Sequence, residues 1–290
     1  MITIFTPTYN RLYTLERLYG SLCRQTSKDF EWLVVDDGST DGTESFFRQI
    51  KEREFPVRYY KKENGGKHRA INYAVPLACG EWFFIVDSDD FLTDDAVSVV
   101  SEQARGIRDD SRFCAVVCNR IYSNKMVIGT SCTYDVLNTD FLSYRTRYKI
   151  KGDRAEIFRT SVMREFPFPD FENEKFCTEA LVWNRMAQQY TARYVNKNIY
   201  VCEYLPDGLT AKVGDAYVGS PQSSALYFLE RSSYNGIGFR NRIASYYNYW
   251  WFYRLCEKPS PLILPTLKMK WLGWPVFMLC TLLKRSVYRS

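Results

Sequence analysis

Asp87 and Asp89 stand two positions apart in the string Asp87-Ser88-Asp89-Asp90, directly after the apolar run Trp82-Phe83-Phe84-Ile85-Val86. In extended backbone, carboxylates two apart point the same way and can reach one hard cation or its bound waters. Magnesium or manganese held by one or two carboxylates completes its shell with substrate phosphates. An acidic loop capping the next helix would use the same residue types, whereas an EF-hand is excluded because its Gly and terminal Glu are missing.

Asp36 and Asp37 end another apolar run, and Gly38-Ser39-Thr40-Asp41-Gly42 then turns the chain. Turn chemistry accounts for the Gly, Ser and later Asp. The paired acids are in addition suited to a ribose hydroxyl or a base imide. In Asn64-Gly65-Gly66-Lys67-His68-Arg69-Ala70-Ile71-Asn72, two glycines precede Lys67 at a predicted helix start. Backbone N–H groups and the helix dipole favour an anion there, and Lys67 adds a full positive charge. The string is neither GxGxxG nor GxxxxGK[ST].

Outside these loops the informative acid is Glu179. At about 100° per residue, Phe176, Glu179, Trp183, Met186, Ala187 and Tyr190 share one stripe of a helix predicted over about 174–190. A carboxylate in an apolar face is paired or functional, and burial raises its pKa toward that of a general base. An ion pair with a distant Arg is the structural alternative. Glu174 projects from nearly the opposite side and reads as a solvated acid.

These residues need a scaffold that brings distant loops together. Strands are predicted at Ile2–Thr6, Glu31–Val35, Val57–Tyr60, Glu81–Val86 and Phe113–Cys118, with helices near Leu12–Gln25, Thr43–Arg53, Lys67–Ala78 and Asp94–Ile107. This alternation predicts an α/β fold with a mostly parallel sheet flanked by helices. Open sheets of that kind bind ligands at the C-terminal ends of their strands. Pro7-Thr8-Tyr9-Asn10-Arg11, Asp36–Gly42 and Asp87–Asp90 all fall at such ends, so one shared site is expected. Residues 121–214 hold an early strand pair and a turn at Gly152-Asp153. From about Asp215 the pattern is helical and aromatic, broken by Pro259, Pro261 and Pro265 before a last apolar run.

The 290 residues suffice for a full core. A single histidine, His68, makes a Ser-His-Asp site or a multi-histidine zinc site improbable. Nine cysteines without a CxxC pair read as free thiols packed as small hydrophobes. Acid–base work therefore falls to carboxylates.

The succession TPTYNR, VVDDGSTDGT, NGGKHRAIN, FFIVDSDD and TEALVWNRMA, in that order over residues 1–190, resembles glycosyltransferase family 2. The resemblance implies a GT-A fold, with a nucleotide-sugar-binding part over 1–120 and an acceptor-side part over 121–214; the helical, aromatic stretch over 215–290 reads as a C-terminal extension. It implies that Pro7, Tyr9 and Asp37 contact the base or ribose, with Arg11 nearby and Lys67 close to the diphosphate. Asp89 would ligate a divalent cation, Mn or Mg, and Asp87 would support the ribose or a metal-bound water. The family's acceptor-side helix carries Glu-Asp-x-x-x-Trp-x-Arg, and here Glu179 stands where its basic Asp would be. The implied activity is inverting transfer of a sugar from a nucleotide-diphosphate donor to a glycan or lipid-linked acceptor, without a covalent intermediate. A nucleotidyltransferase, or a non-catalytic nucleotide- or glycan-binding module, would be the rival readings.

Residues 231–290 hold ten Lys or Arg against Glu257 alone, whereas the rest of the chain is net negative. The apolar run Trp271–Leu283, between Lys270 and Lys284, is 13 residues long, too short for a span of about twenty. Its basic flanks and tryptophans suggest a segment lying in a membrane surface, the alternative being a helix packed on the catalytic domain. Nucleic-acid binding is disfavoured because the aromatics accompany long aliphatics. Met1 leads straight into Ile2-Thr3-Ile4-Phe5, without a basic stretch and apolar signal core. The expected location is therefore cytoplasmic, peripheral on the inner face of the cell membrane.

Overall fold

The alternation expected of the first 120 residues is present in the computed structural model, which describes residues 1–50, 54–203 and 213–282. In chain order it runs β1 (Ile2–Thr8), α1 (Leu12–Cys23), β2 (Phe30–Asp36), α2 (Thr43–Gln49), β3 (Val57–Lys61), α3 (Lys67–Ala74), β4 (Trp82–Ile85), β5 (Phe91–Leu92), α4 (Ala96–Arg105) and β6 (Phe113–Tyr122). There follow β7 (Val136–Thr139), α5 (Phe141–Thr146), β8 (Arg154–Arg159), α6 (Thr160–Glu165), α7 (Glu179–Met186), β9 (Thr191–Cys202), α8 (Val213–Val218), α9 (Pro221–Arg231), α10 (Phe239–Tyr253) and α11 (Trp274–Leu282). Residues 51–53, at the end of the predicted second helix, lie outside the described residues, as do Lys284, Arg285 and Arg289.

Nine strands among the described residues form one sheet in the order β3-β2-β1-β4-β8-β6-β9-β5, with β7 also paired to β9. Strands β3, β2, β1 and β4 are parallel, as the βα alternation requires. Beyond β4 the sheet is mixed: β8 runs antiparallel to both β4 and β6, and β9 is parallel to β6. Strand β6 runs through residue 120, so the boundary expected there falls inside one sheet.

Every residue of β2 is buried, because helices cover both faces of the sheet. Phe5, Leu33, Val35, Phe83 and Ile85 pack on the side of α3 and α7. Ile4, Trp32, Val34 and Phe84 pack on the side of α1, α2 and α4. Trp32 is fully buried and its indole N–H donates to Thr6 Oγ1 at 3.0 Å, so burial of its ring, worth roughly 2–3 kcal/mol, leaves no polar atom unpaired. The tail is no separate body. Leu226, Tyr249, Phe252 and Phe277 belong to the same core as Phe158 and Trp183.

The register places the site. Thr8 lies opposite Asp36, Asp36 opposite Lys61 and Phe5 opposite Ile85. The loops after β1, β2, β3 and β4 thus leave from one edge of the sheet, as the positions of the acidic clusters predicted.

Candidate active site

At that edge the loops after β1 and β2 are laced together. Asn10, held at φ 51°, accepts from the Thr40 N–H through its side-chain oxygen (2.8 Å) and donates its own N–H to Ser39 Oγ (2.9 Å). Asp41 accepts from the Leu12 N–H at the start of α1. Pro7 is half-buried at the end of β1 and Tyr9 is 49 % exposed. Arg11 immediately precedes α1, close enough for its charge to act on Asp89.

Asp36 is fully buried; it accepts from the Ser39 N–H and from the Tyr59 hydroxyl at 2.5 Å. The Asp37 carboxylate takes four donors: Lys62 Nζ (2.6 Å), the Gly65 N–H (2.9 Å), the Gly66 N–H (2.7 Å) and Asn64 Nδ2 (3.2 Å). Its oxygens are therefore engaged by the protein, and what it positions is the turn that begins α3. Gly66 completes that turn at φ +94°, and a Cβ there would lie 1.9 Å from the Lys175 carbonyl oxygen. Only glycine tolerates both conditions. Arg69 adds hydrogen bonds to the Phe171 and Glu174 carbonyls, so the start of α3 is sewn to the segment leading into α7.

The turn delivers Lys67. Its ammonium lies 2.5 Å from Asp87 Oδ1 and 2.9 Å from Glu179 Oε1, joining three residues from separate stretches of sequence. Burial would neutralise Lys67, but the two carboxylates outweigh it and hold its pKa above the ordinary value. Burial likewise opposes the Asp87 charge; Lys67 and Arg120 overcome that and lower its pKa. Arg120 sits 3.7 Å from Asp87 Oδ2 and stacks over the Tyr200 ring. The Tyr200 hydroxyl oxygen in turn accepts the Asp87 N–H.

Asp89 is half-buried, and no side chain among the described residues bonds its carboxylate; burial, then the Asp87 charge, raise its pKa. Asp90 is buried, accepts from the Glu203 N–H, and is pushed up to about 7 by burial and the same neighbour. Glu156, on β8, also reaches about 7: burial dominates, Arg120 opposes it, and the Glu179 charge adds to it.

Three expectations need correction. Strand β4 ends at Ile85, and the Asp90 N–H returns to the Asp87 carbonyl, so the acids lie in a turn and not along an extended strand end. Helix α7 begins at Glu179, about five residues later than predicted. Glu179 therefore sits in a first turn, with its side chain 35 % exposed and paired to nearby Lys67 instead of being sealed in the apolar face or bonded to a distant Arg. Glu174, read as solvated, is buried and accepts the Gln222 and Ser223 N–H groups at the start of α9. Its helical phase was extrapolated to a residue that is not helical, and the partner is contributed by the tail.

Arg120, Glu156 and Tyr200 were not singled out in the sequence. Arg120 and Tyr200 lie in apolar strand patterns, and no local spacing links β6, β8 and β9 to the loop after β4. The one available signal was Asn119-Arg120 interrupting the apolar run that begins β6.

Among the described residues, no three His, Cys, Asp or Glu side chains converge into a metal cage. The donor set still fits a cation that takes its other ligands from phosphate and water. Asp89 offers a carboxylate that no side chain among the described residues bonds, and the burial and Asp87 charge that raise its pKa are what a divalent charge offsets.

A sequence profile described as Glycosyl transferase family 2 matches residues 3–168. The chain is 33% identical over 120 residues to a chondroitin synthase of Pasteurella multocida, a match covering 41% of this chain and 12% of that one. It is 23% identical over 258 residues to the GalNAc(5)-diNAcBac-PP-undecaprenol beta-1,3-glucosyltransferase of Campylobacter jejuni, covering 85% and 80%. The structure superposes on S. aureus TarS 1-349 in complex with UDP-GlcNAc with a TM-score of 0.63 at 18% identity, covering 96% of this chain and 78% of that one. A mannosyltransferase from Pyrobaculum calidifontis in complex with GDP-Man and Mn2+ gives 0.51 at 18% identity, covering 100% and 76%. These likenesses bear out the GT-A fold.

Proposed function

Because the chain belongs to glycosyl transferase family 2, we propose that it is an inverting glycosyltransferase that moves a sugar from a nucleotide-diphosphate donor to an acceptor hydroxyl. The observation that carries this reading is the Lys67 ammonium held between Asp87 and Glu179, at 2.5 and 2.9 Å. It supports the reading in which Asp87 serves the donor side, Lys67 the diphosphate and Glu179 the acceptor side, since the three charged groups meet at one point.

In this reading Pro7, Tyr9 and Arg11 form the wall against which the base and ribose lie, and Asp37 acts through the turn it holds. Asp89, with Asp87 behind it, would hold a divalent cation. Bound there, the cation would supply Lewis-acid stabilisation of the leaving diphosphate. An arriving diphosphate competes with Glu179 for the Lys67 ammonium. Lys67 then neutralises charge on the leaving group, and the released Glu179 takes the proton of the acceptor hydroxyl as it attacks the opposite face of the sugar. A single displacement of this kind inverts the anomeric centre. The glucosyltransferase relative, whose name specifies an undecaprenol-linked substrate, supports a lipid-linked or cell-surface glycan as acceptor.

The test is to incubate the purified protein with manganese and a panel of nucleotide sugars and to measure free nucleoside diphosphate. Glu179→Gln should lower turnover by about 10²–10⁴-fold with donor binding preserved. Release of pyrophosphate would instead identify a nucleotidyltransferase, and unchanged behaviour of Glu179→Gln a binding module. The anomeric configuration of the product, read by NMR, decides between inversion and retention.

A further inference from the structure

The last helical stretch has two unlike faces. Met269, Gly273 and Phe277 are buried against α10. There the Trp250 indole N–H donates to the Met269 carbonyl at 3.2 Å, the Trp250 and Trp274 rings meet at 4.9 Å, and a Cβ on Gly273 would come within 3.1 Å of Trp250 Nε1. The opposite face has no cover among the described residues, although it is apolar. Leu267 is 74 % exposed, Trp271 77 %, Leu272 54 %, Leu279 58 % and Leu282 75 %. Scattered exposed hydrophobics are ordinary, but a row along one rigidly mounted helix marks a binding surface. No helix among the described residues is long and apolar enough to cross a membrane.

We infer that this face docks on the surface of an anionic lipid bilayer, lying in the headgroup region with its leucines and tryptophans turned into the acyl boundary. Charge selects the occupant. Lys268 and Lys270 flank the apolar row, Lys284, Arg285 and Arg289 follow in sequence, and residues 258–290 contain no acid. Acidic headgroups complement that pattern. A second copy would bring an equally basic surface against it. The surface is also joined to the site: α11 packs on α10, α10 on α9, and α9 on α7, which carries Glu179. Docking would therefore set the acceptor side of the cleft at a fixed height over the bilayer. This consequence rests on the proposed transferase reading, whereas the docking itself does not.

Flotation of the full chain with vesicles of phosphatidylcholine alone or with added phosphatidylglycerol tests the inference. The protein should float with the anionic vesicles and remain behind with the neutral ones, and raised salt should release it. The double variant Trp271→Glu, Leu279→Glu should reduce the bound fraction at least about tenfold, with an unchanged circular dichroism spectrum and melting temperature, because both side chains face outward. Nucleoside diphosphate release with a water-soluble acceptor should stay at the wild-type rate in that variant. If wild-type protein does not float with anionic vesicles, the inference fails. It fails equally if the chain dimerises in solution and the double variant restores a monomer. Flotation without any donor turnover would leave the docking standing and overturn the transferase reading alone.

Discussion

Two pairs of acids, Asp36 with Asp37 and Asp87 with Asp89, leave the same sheet edge, and the protein uses them in opposite ways. After β2, Asp36 and Asp37 are buried and their oxygens are taken up by backbone N–H groups, a tyrosine hydroxyl and a lysine. After β4, Asp87 is held by side-chain charges and Asp89 by no side chain among the described residues. Acids satisfied by backbone are spent on geometry, because moving them breaks the turn. Asp87, held without backbone N–H donors to its carboxylate among the described residues, would remain available on the proposed reading, because an arriving diphosphate can take over Lys67. The first cluster builds the turn that presents Lys67, and Lys67 then sets the charge of the second.

The sharpest way to break this contrast is a matched pair of substitutions. Asp89→Asn should lower turnover by at least about 10²-fold without lowering the melting temperature, since it removes a charge that burial and Asp87 disfavour and no side-chain partner among the described residues is lost. Asp37→Asn should instead cost about 3 kcal/mol of stability in urea unfolding, because Lys62 loses its partner in a mostly buried pair and the turn loses acceptors. If Asp37→Asn keeps full stability and loses only donor affinity, the assignment of the first cluster to structure is wrong.

His68 sharpens the comparison through pH. It follows Lys67 on α3, is 2 % exposed, and neither ring nitrogen has a hydrogen-bond partner among the described residues; burial, helped by the Arg69 charge, lowers its pKa to about 4. The unfolded chain takes up a proton near the ordinary value of 6.5 and the folded chain only near 4. The neutral ring's contribution is thus intact above about 6.5 and is lost as pH falls toward 4, on the order of 3 kcal/mol in all. His68→Leu should flatten that part of the stability profile measured by urea titration.

Glu156 should give an effect of the same order and the opposite sign. With its folded pKa near 7, the native state holds a proton that the unfolded chain releases near 4.5, so stability declines as pH rises between those values. In Glu156→Gln that decline should disappear while the His68 limb persists. A profile unchanged by Glu156→Gln would show that this carboxylate is hydrated, not held beside Glu179.

Within the first 120 positions the pattern of residues located the four parallel strands and their helices but not the short β5 or the turn at Asp87–Asp90. Alternating apolar strands and helical stripes are local properties, and strand ends carrying Asp37, Asp87 and Asp89 are visible as breaks in those patterns. Lys67 was legible because Gly65 and Gly66 precede it, a sign of backbone that must turn sharply. Residues 174–190 show where such reading ends. A helical wheel assumes the helix it is drawn on, and Glu174 precedes that helix, so its apparent solvent face had no physical meaning. For Glu179 the helical-phase argument and the family motif chose the same residue, although the predicted burial was too deep.

The chain's own order of residue types determined the α/β fold, the edge on which the loops gather and most acids at that edge, because those follow from short-range periodicity and from where apolar runs stop. Tertiary structure alone decided which acids are consumed and which remain free. It brought Lys67 between Asp87 and Glu179, recruited Arg120 and Glu156 from strands far along the chain, buried Glu174 under α9, and left one side of the last helix without cover among the described residues. The physical reason is that charge pairing and desolvation depend on separation in space, which no spacing along the sequence records.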